Sequence, residues 1–277
     1  MEPFALALVS GAAHAAWNAL AKTPGQERAA TWTTLALSWF VAVGWWGAVG
    51  GGVVVASVPW IALAGAGEAA YVFSLGMAYA RGDLALTYAV SRAAALVFVW
   101  PLSWSVFGTT PTPLALGATV LVVAGIVLAR REGAAGARWH PGWTLGTGAS
   151  VALYHTGYKG AVDAGAAQAS AFVLALTLAL PVLLLLLGRA VRAQLPAQAR
   201  RPRLFLAGVL CAVSFLLMLA ALVDADSGRI LGVRNASVGF TLVFALLGGE
   251  RLARRQWAGV VVLFAGIAAF GLDQTGH

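Results

Sequence analysis

Two arginines, Arg92 and Arg234, lie inside long apolar runs and stand 142 positions apart in the chain. A guanidinium in hydrocarbon costs about 2.5 kcal/mol or more unless it faces water, a partner or a bundle interior, so such residues mark a functional site. A third charge, Glu68, falls near the middle of another apolar run. Neutral polar residues gather by face around them. His14, Trp17 and Asn18 are spaced i, i+3, i+4, and Tyr154, His155 and Tyr158 form a second polar group on one helical stretch. Tyr71 shares a face with Glu68, and Tyr88 with Arg92.

Two guanidiniums against one carboxylate leave a net positive interior. That fits a substrate with a carboxylate or phosphate-like group, which arginine holds bidentately. A zwitterion would place its amine on Glu68, and a purely cationic substrate is disfavoured. The substrate-binding set expected is His14, Trp17, Asn18, Glu68, Tyr71, Tyr88, Arg92, Tyr154, His155, Tyr158 and Arg234. The competing reading is that the arginines snorkel or pair within the fold, and that each neutral residue makes an interhelical hydrogen bond. Histidine titrates near neutral pH, so His14 or His155, or else Glu68, is a candidate to couple transport to protons. No other cofactor is expected. An enzyme is disfavoured, because the chain holds neither a G-x-S-x-G elbow nor an H-E-x-x-H metal motif, and Ser150 and His155 lack a clean i, i+4 relation.

These residues must be held by membrane helices. With 60% hydrophobic and 10% charged residues and a mean hydropathy of +0.83, the chain lacks the polar surface of a soluble globule. Its net charge of +8 would suit nucleic acid in a soluble domain, but here the basic residues cluster between apolar runs, where they set orientation. Cys211 is the only cysteine, so no intrachain disulfide and no cysteine metal site can form.

Runs long enough to span hydrocarbon place ten helices at roughly 3–22, 29–48, 58–80, 84–107, 113–130, 141–160, 165–188, 203–223, 228–248 and 256–273. The first opens with Glu2 and matches a later segment, so it reads as a span instead of a cleaved leader. Of the 18 Lys and Arg, 14 fall in the loops after odd-numbered spans. The positive-inside rule then puts those loops in the cytoplasm and both termini outside, as in a bacterial plasma (inner) membrane. On this orientation the depths of Arg92 and Arg234 put them on opposite sides of the midplane, bracketing a central cavity.

The halves also resemble each other. Gly11, Trp17, Asn18 and Lys22 align with Gly148, Tyr154, His155 and Lys159, and Met77 and Asp83 with Met218 and Asp224. Arg92 and Gly117 meet Arg234 and Gly259, and Ala124-Gly125-Ile126 meets Ala265-Gly266-Ile267. Glu68 has no counterpart, since Val209 aligns with it. Five helices per half is odd, so the second unit enters the membrane inverted. The fold expected is an all-α membrane protein with ten transmembrane helices in two inverted five-helix repeats, residues 1–132 and 139–277. Gly47 with Gly51, and Gly142 with Gly146, are small-xxx-small pairs expected to let helices approach closely. Pro101 and Pro181 are expected to kink the helices that contain them.

The segments His14-Ala-Ala-Trp17-Asn18-Ala-Leu-Ala-Lys22, Gly82-Asp83-Leu-Ala-Leu-Thr-Tyr88-Ala-Val-Ser-Arg92 and Gly248-Gly249-Glu250-Arg251-Leu252 resemble the EamA branch of the drug/metabolite transporter (DMT) superfamily. The resemblance implies ten helices and movement of small metabolites, often amino acids or related compounds. One position departs from it: the glutamate closing the fourth helix of a unit appears as Glu250 but is Gly108 in the first half. A helix-end ion pair of Glu250 with Arg254 is the role expected of it. The function expected is a secondary transporter of a small anionic or zwitterionic metabolite by alternating access. The alternative is a flippase for an anionic lipid or lipid-linked sugar. The partners expected are a small-molecule substrate and the lipid bilayer, with no nucleic acid, and a homodimer is compatible with the chain. The site reading predicts that Gln or Leu at Arg92 or at Arg234 abolishes transport in reconstituted vesicles, and unchanged transport would contradict it.

Overall fold

A computed structural model describes residues 2–130, 140–247, 249 and 251–274. The described residues form helices: α1 (Pro3–Ala21), α2 (Glu27–Val49), a 3-10 turn (Val55–Ser57), α3 (Val58–Tyr79), α4 (Leu84–Phe107), α5 (Pro113–Ala129), α6 (Pro141–Asp163) and α7 (Gln168–Leu186). Two short helices follow, α8 (Arg189–Arg192) and α9 (Leu195–Ala199), and then α10 (Pro202–Val223), α11 (Ser227–Arg234), α12 (Ala236–Leu247) and α13 (Arg254–Gln274).

Helix starts follow local sequence. Proline opens α1, α3, α5, α6 and α10 within the first turn, where its missing N–H has no helical partner to lose. Asp83 accepts from the Leu86 amide at 2.8 Å, Thr112 from Ala115 at 3.0 Å and Asp226 from Arg229 at 2.8 Å, capping α4, α5 and α11. Gly108 closes α4 at φ 69°. That left-handed backbone favours glycine and gives a physical reason for Gly108 where the resemblance expects glutamate.

Among the described residues, eight segments are long and apolar enough to cross a membrane, counting α11 and α12 as the single stretch Ser227–Leu247. Helix α5 is apolar but has 17 residues. Helix α6 is outside the eight despite its 23 residues. Its Thr144, Thr147, His155 and Thr156 are buried against other helices, which explains why hydropathy alone passes it over. Phe40, Leu185, Leu247 and Val261 lie outward while His14, Glu68, Arg92 and Arg234 are buried. Apolar outside and charged inside is the arrangement of an integral membrane protein.

The main packing joins the two halves of the chain. Helix α1 packs on α10 and α3 on α6; α5 packs on α13, α4 on α6, and α1 on α11 and α12. Equivalent contacts recur. Ser10 Oγ donates to the Ser214 carbonyl at 2.7 Å and Ser214 Oγ to the Ser10 carbonyl at 2.9 Å, joining α1 to α10. Thr147 Oγ1 donates to Ser74 Oγ at 3.1 Å, joining α6 to α3. A Cβ on Gly125 would stand 2.4 Å from the Leu263 nitrogen, and one on Gly266 2.8 Å from the Val122 nitrogen.

Three expectations change. The ninth span is broken: α11 ends at Arg234, α12 begins at Ala236, and Val238 N donates to Asn235 O at 2.9 Å in a tight i, i+3 bond. The apolar run has no proline there to announce the break. The expected small-residue pairs do not carry close helix–helix crossings either. Nothing would lie within 4 Å of a Cβ on Gly47 or Gly146, a Cβ on Gly142 would meet only His140 of its own helix start, and Gly51, where a Cβ would stand 2.6 Å from the Ala167 Cβ, lies in the loop beyond the end of α2. The close crossings use Gly11, Gly67, Gly125, Gly148 and Gly266 instead. Third, the basic stretch before α10 contains two helical turns, with Gln198 buried and bonded to Gln26 at 2.6 Å. Pro101 and Pro181 do lie inside α4 and α7. The Glu250 pairing lies outside the described residues.

Gly125→Val forces side-chain atoms into the α13 backbone and should cost about 1–3 kcal/mol of stability, while Gly146→Val should stay near wild type. Thermal unfolding of the two variants in detergent measures the difference.

Candidate functional site

Helices α1, α3, α4, α6, α10 and α11 bring the charged residues to one place. Arg92 on α4 reaches across to α1, where Nη2 meets His14 Nε2. Arg234, at the end of α11, brings its own Nη2 to within 3.3 Å of His14 Nδ1. Both guanidiniums therefore meet one imidazole. A neutral imidazole has one nitrogen that accepts and one that donates, so in either tautomer only one of the two contacts is a hydrogen bond. Among the described residues no carboxylate oxygen lies within 4 Å of either guanidinium.

The remaining contacts of the two arginines differ. Arg234 is fully buried. Its Nε donates to Ser10 Oγ at 3.1 Å, its Nη2 to Ser214 Oγ at 3.2 Å and its Nη1 to Tyr154 Oη at 3.4 Å, with His155 Nε2 also 3.4 Å from Nη1. Its guanidinium carbon lies 4.8 Å from the centre of the Phe215 ring, a cation–π distance. Arg92 sits 5.3 Å from the Tyr88 ring centre, and its Nη1 is buried without a hydrogen-bond partner. Glu68, buried on α3, accepts from the Tyr158 hydroxyl of α6.

Beside this cluster lies a cavity of about 500 Å³. Its inner wall carries His14, Trp17, Asn18, Glu68, Tyr71 and Tyr88, and its mouth Lys22, Glu27, Arg28, Arg130 and Leu187. The mouth is at the end where α1, α3, α5 and α7 finish, so residues of the basic loops gather there. At the opposite end the starts of α5 and α11 meet the end of α13. Arg229 Nη1 pairs with Asp226 Oδ2 at 2.8 Å, Arg229 Nη2 with Asp273 Oδ2 at 2.6 Å, and Thr112 Oγ1 donates to Asp273 Oδ1 at 2.6 Å. None of those four residues lines the cavity.

Of the eleven residues singled out by sequence, six form the inner wall. Arg92, Arg234, Tyr154, His155 and Tyr158 do not line the cavity but stand in the cluster behind it. The two arginines do not bracket a cavity from opposite sides; their long side chains close the gap between their helices and converge at His14. Asn18 Nδ2 donates to the His14 carbonyl of its own helix at 2.8 Å. Sequence reasoning missed Ser10, Ser214 and Phe215, which hold Arg234. Ser10 was findable, because it precedes His14 by one helical turn; nothing marked Phe215. Arg229 also carried a local signal, since Asp226 stands three residues before it.

Residues 139–272 match the model of the EamA-like transporter family. No curated protein matches the chain. A solved crystal structure of a protein 15% identical in sequence superposes with a TM-score of 0.74, covering 98% of this chain and 95% of the other. That likeness is one of fold.

Arg234→Lys removes a forked donor that meets five neighbours, Ser10, His14, Tyr154, His155 and Ser214, whereas Arg92→Lys removes one that meets His14. The first should lower stability by about 1.5–3 kcal/mol or more, the worth of a hydrogen bond to a charged group, and the second by less. Thermal unfolding in detergent would show the order, and equal losses would contradict the assignment.

Proposed function

We propose that the protein, whose residues 139–272 match the EamA-like transporter family, is a secondary carrier of a small anionic or zwitterionic metabolite. The substrate class is a carboxylate, a phosphonate or an amino-acid-like compound. The observation that carries the reading is a largely apolar cavity of about 500 Å³ whose inner wall carries His14, Asn18, Glu68, Tyr71 and Tyr88, open toward the basic loops and backed by two guanidiniums that have no carboxylate within 4 Å among the described residues. A volume of that size suits a small ligand. An anion entering it reaches the His14 wall, directly behind which the two guanidiniums stand.

Ten transmembrane segments in two inverted five-helix units, residues 1–132 and 139–277, are the scaffold of this reading. The exchanged pairings support it: α1 on α10 answers α6 on α3, and α4 on α6 answers α1 on α11 and α12. Contacts of Gly11 with the Arg234 carbonyl and of Gly148 with the Ser91 carbonyl, each 3.0 Å from the Cβ position, support it again. Alternating access follows from such a scaffold when its two ends open in turn. With the basic loops in the cytoplasm and the termini outside, the mouth faces inward and the Asp226–Arg229–Asp273 cluster is the outer closure. Glu68 and His14 on the cavity wall are the groups placed to couple substrate to protons, with His155 behind them.

A flippase needs a lateral route from the lipid to the central charges. The outward groove between α4 and α6, lined by Phe98, Pro101, Leu102 and Ser150 among others, shares no residue with the cavity. That favours a carrier over a flippase, and over a catalyst there is no assembled nucleophile and base to weigh against it among the described residues.

Flux into vesicles carrying the purified protein, under an imposed pH gradient, tests the reading with a panel of amino acids, dicarboxylates, phosphonates and organic cations. Uptake of an anionic or zwitterionic member, lost on Arg92→Gln, is expected. Uptake of organic cations alone, or movement of lipids alone, would overturn it.

A further inference from the structure

The cluster has more donors than acceptors, and the excess is not evenly spread. Nε, Nη1 and Nη2 of Arg234 all have partners. Arg92 has a buried Nη1 with none. Trp17 has a buried indole Nε1 with none, and among the described buried side-chain donors and acceptors that lack partners it is the one whose residue lines the cavity. Both residues touch the same imidazole: the Trp17 ring lies edge-on to His14 with centres 5.1 Å apart, and Arg92 Nη2 meets His14 Nε2. Two unmatched donors thus flank one histidine, Trp17 on the cavity wall and Arg92 just behind it. Burying a donor without an acceptor is costly, and a carboxylate offers two oxygens that accept from two such donors at once.

We propose that Trp17 Nε1 and Arg92 Nη1 form the anion subsite of this carrier, taking one carboxylate between them, while Arg234 is a positioning residue that holds His14 and never binds substrate. The proposal rests on the carrier reading above and divides its two arginines into different roles. Arg234 is bonded to α1, α6 and α10 through Ser10, Tyr154 and Ser214. It keeps His14 oriented, and His14 in turn keeps Arg92 turned so that Nη1 is left over. A carboxylate arriving from the mouth passes Lys22, Arg28 and Arg130, accepts from the indole N–H and one guanidinium N–H, and supplies the negative charge the cluster lacks. The arrangement is not duplicated in the second half, where Tyr154 aligns with Trp17 and instead accepts from Arg234.

The test uses the full-length protein in detergent, with sodium acetate as probe and acetamide, its neutral isostere, as control at constant ionic strength. Acetate should raise the unfolding temperature of the wild-type protein and acetamide should not. The acetate concentration for half the effect should rise roughly tenfold or more in Trp17→Phe, which keeps an aromatic ring but loses the N–H, and the effect should vanish in Arg92→Gln. Because Arg92→Gln can fail to fold, Trp17→Phe carries the decision. Ser214→Ala, which loosens Arg234 without touching either donor, should keep the acetate response. Acetate acting no better than acetamide on the wild-type protein, or acting equally on Trp17→Phe, would overturn the subsite. If vesicles still transport in that event, the carrier reading stands without it; if acetate binds as expected but no member of the panel is transported, the carrier reading fails instead.

Discussion

Two buried guanidiniums meeting one imidazole, with no carboxylate among the described residues close enough to neutralise them, is the constraint on which the rest of this structure turns. Each cation would be expensive alone in hydrocarbon. The fold meets that expense with neutral acceptors: Ser10 and Ser214, which also bond each other's helices, and the Tyr154 hydroxyl. The Phe215 and Tyr88 ring faces add cation–π contacts. Those neighbours stabilise the arginines without cancelling their charge. Glu68, the carboxylate that could have done so, is bonded to Tyr158 instead. A cluster that keeps its charge stays competent to bind an anion, and one neutralised by its own chain would not.

That cluster also explains where helices must come closest. Helix α1 crosses the break between α11 and α12 at Gly11, and α6 crosses α4 at Gly148. Any side chain at either glycine would push against the backbone carrying the neighbouring arginine. The break at Asn235 leaves both polar atoms of its amide, and the Ser237 hydroxyl, buried without partners. In membrane proteins such non-helical backbone is tolerated where protein surrounds it, and discontinuous helices commonly sit at binding sites. The ion-paired start of α11, at Asp226 and Arg229, and its cluster end, at Arg234, belong to one eight-residue helix, Ser227–Arg234, capped by Asp226.

Much of this was legible in the sequence because charge in hydrocarbon is costly and therefore rare. Arg92, Arg234 and Glu68 stood out individually, and the paired Gly, Trp, Tyr and Arg positions gave the sequence signal of a repeat. The six wall residues followed from helical spacing. What was not legible depended on distance between elements. Convergence of both arginines at His14 comes from side-chain reach across helix crossings that depth along a helix does not encode. The glycine crossings were misassigned because spacing along one helix does not say which face meets a neighbour. The break at Asn235 carries no proline, and the Arg229–Asp273 contact joins residues 44 apart whose pairing no local pattern announces.

The central claim is that one charged site is reached from the two ends of the protein in turn, and accessibility of its wall tests that most directly. With Cys211 replaced by Ala, a cysteine at Asn18 is the sole thiol, placed on the cavity wall, and a membrane-impermeant thiol reagent can be applied to either face of oriented vesicles. The account predicts modification from the face bearing the basic loops, and from the opposite face once Arg229→Gln loosens the Asp226–Arg229–Asp273 closure. Modification from one face only, with and without that closure, would contradict it.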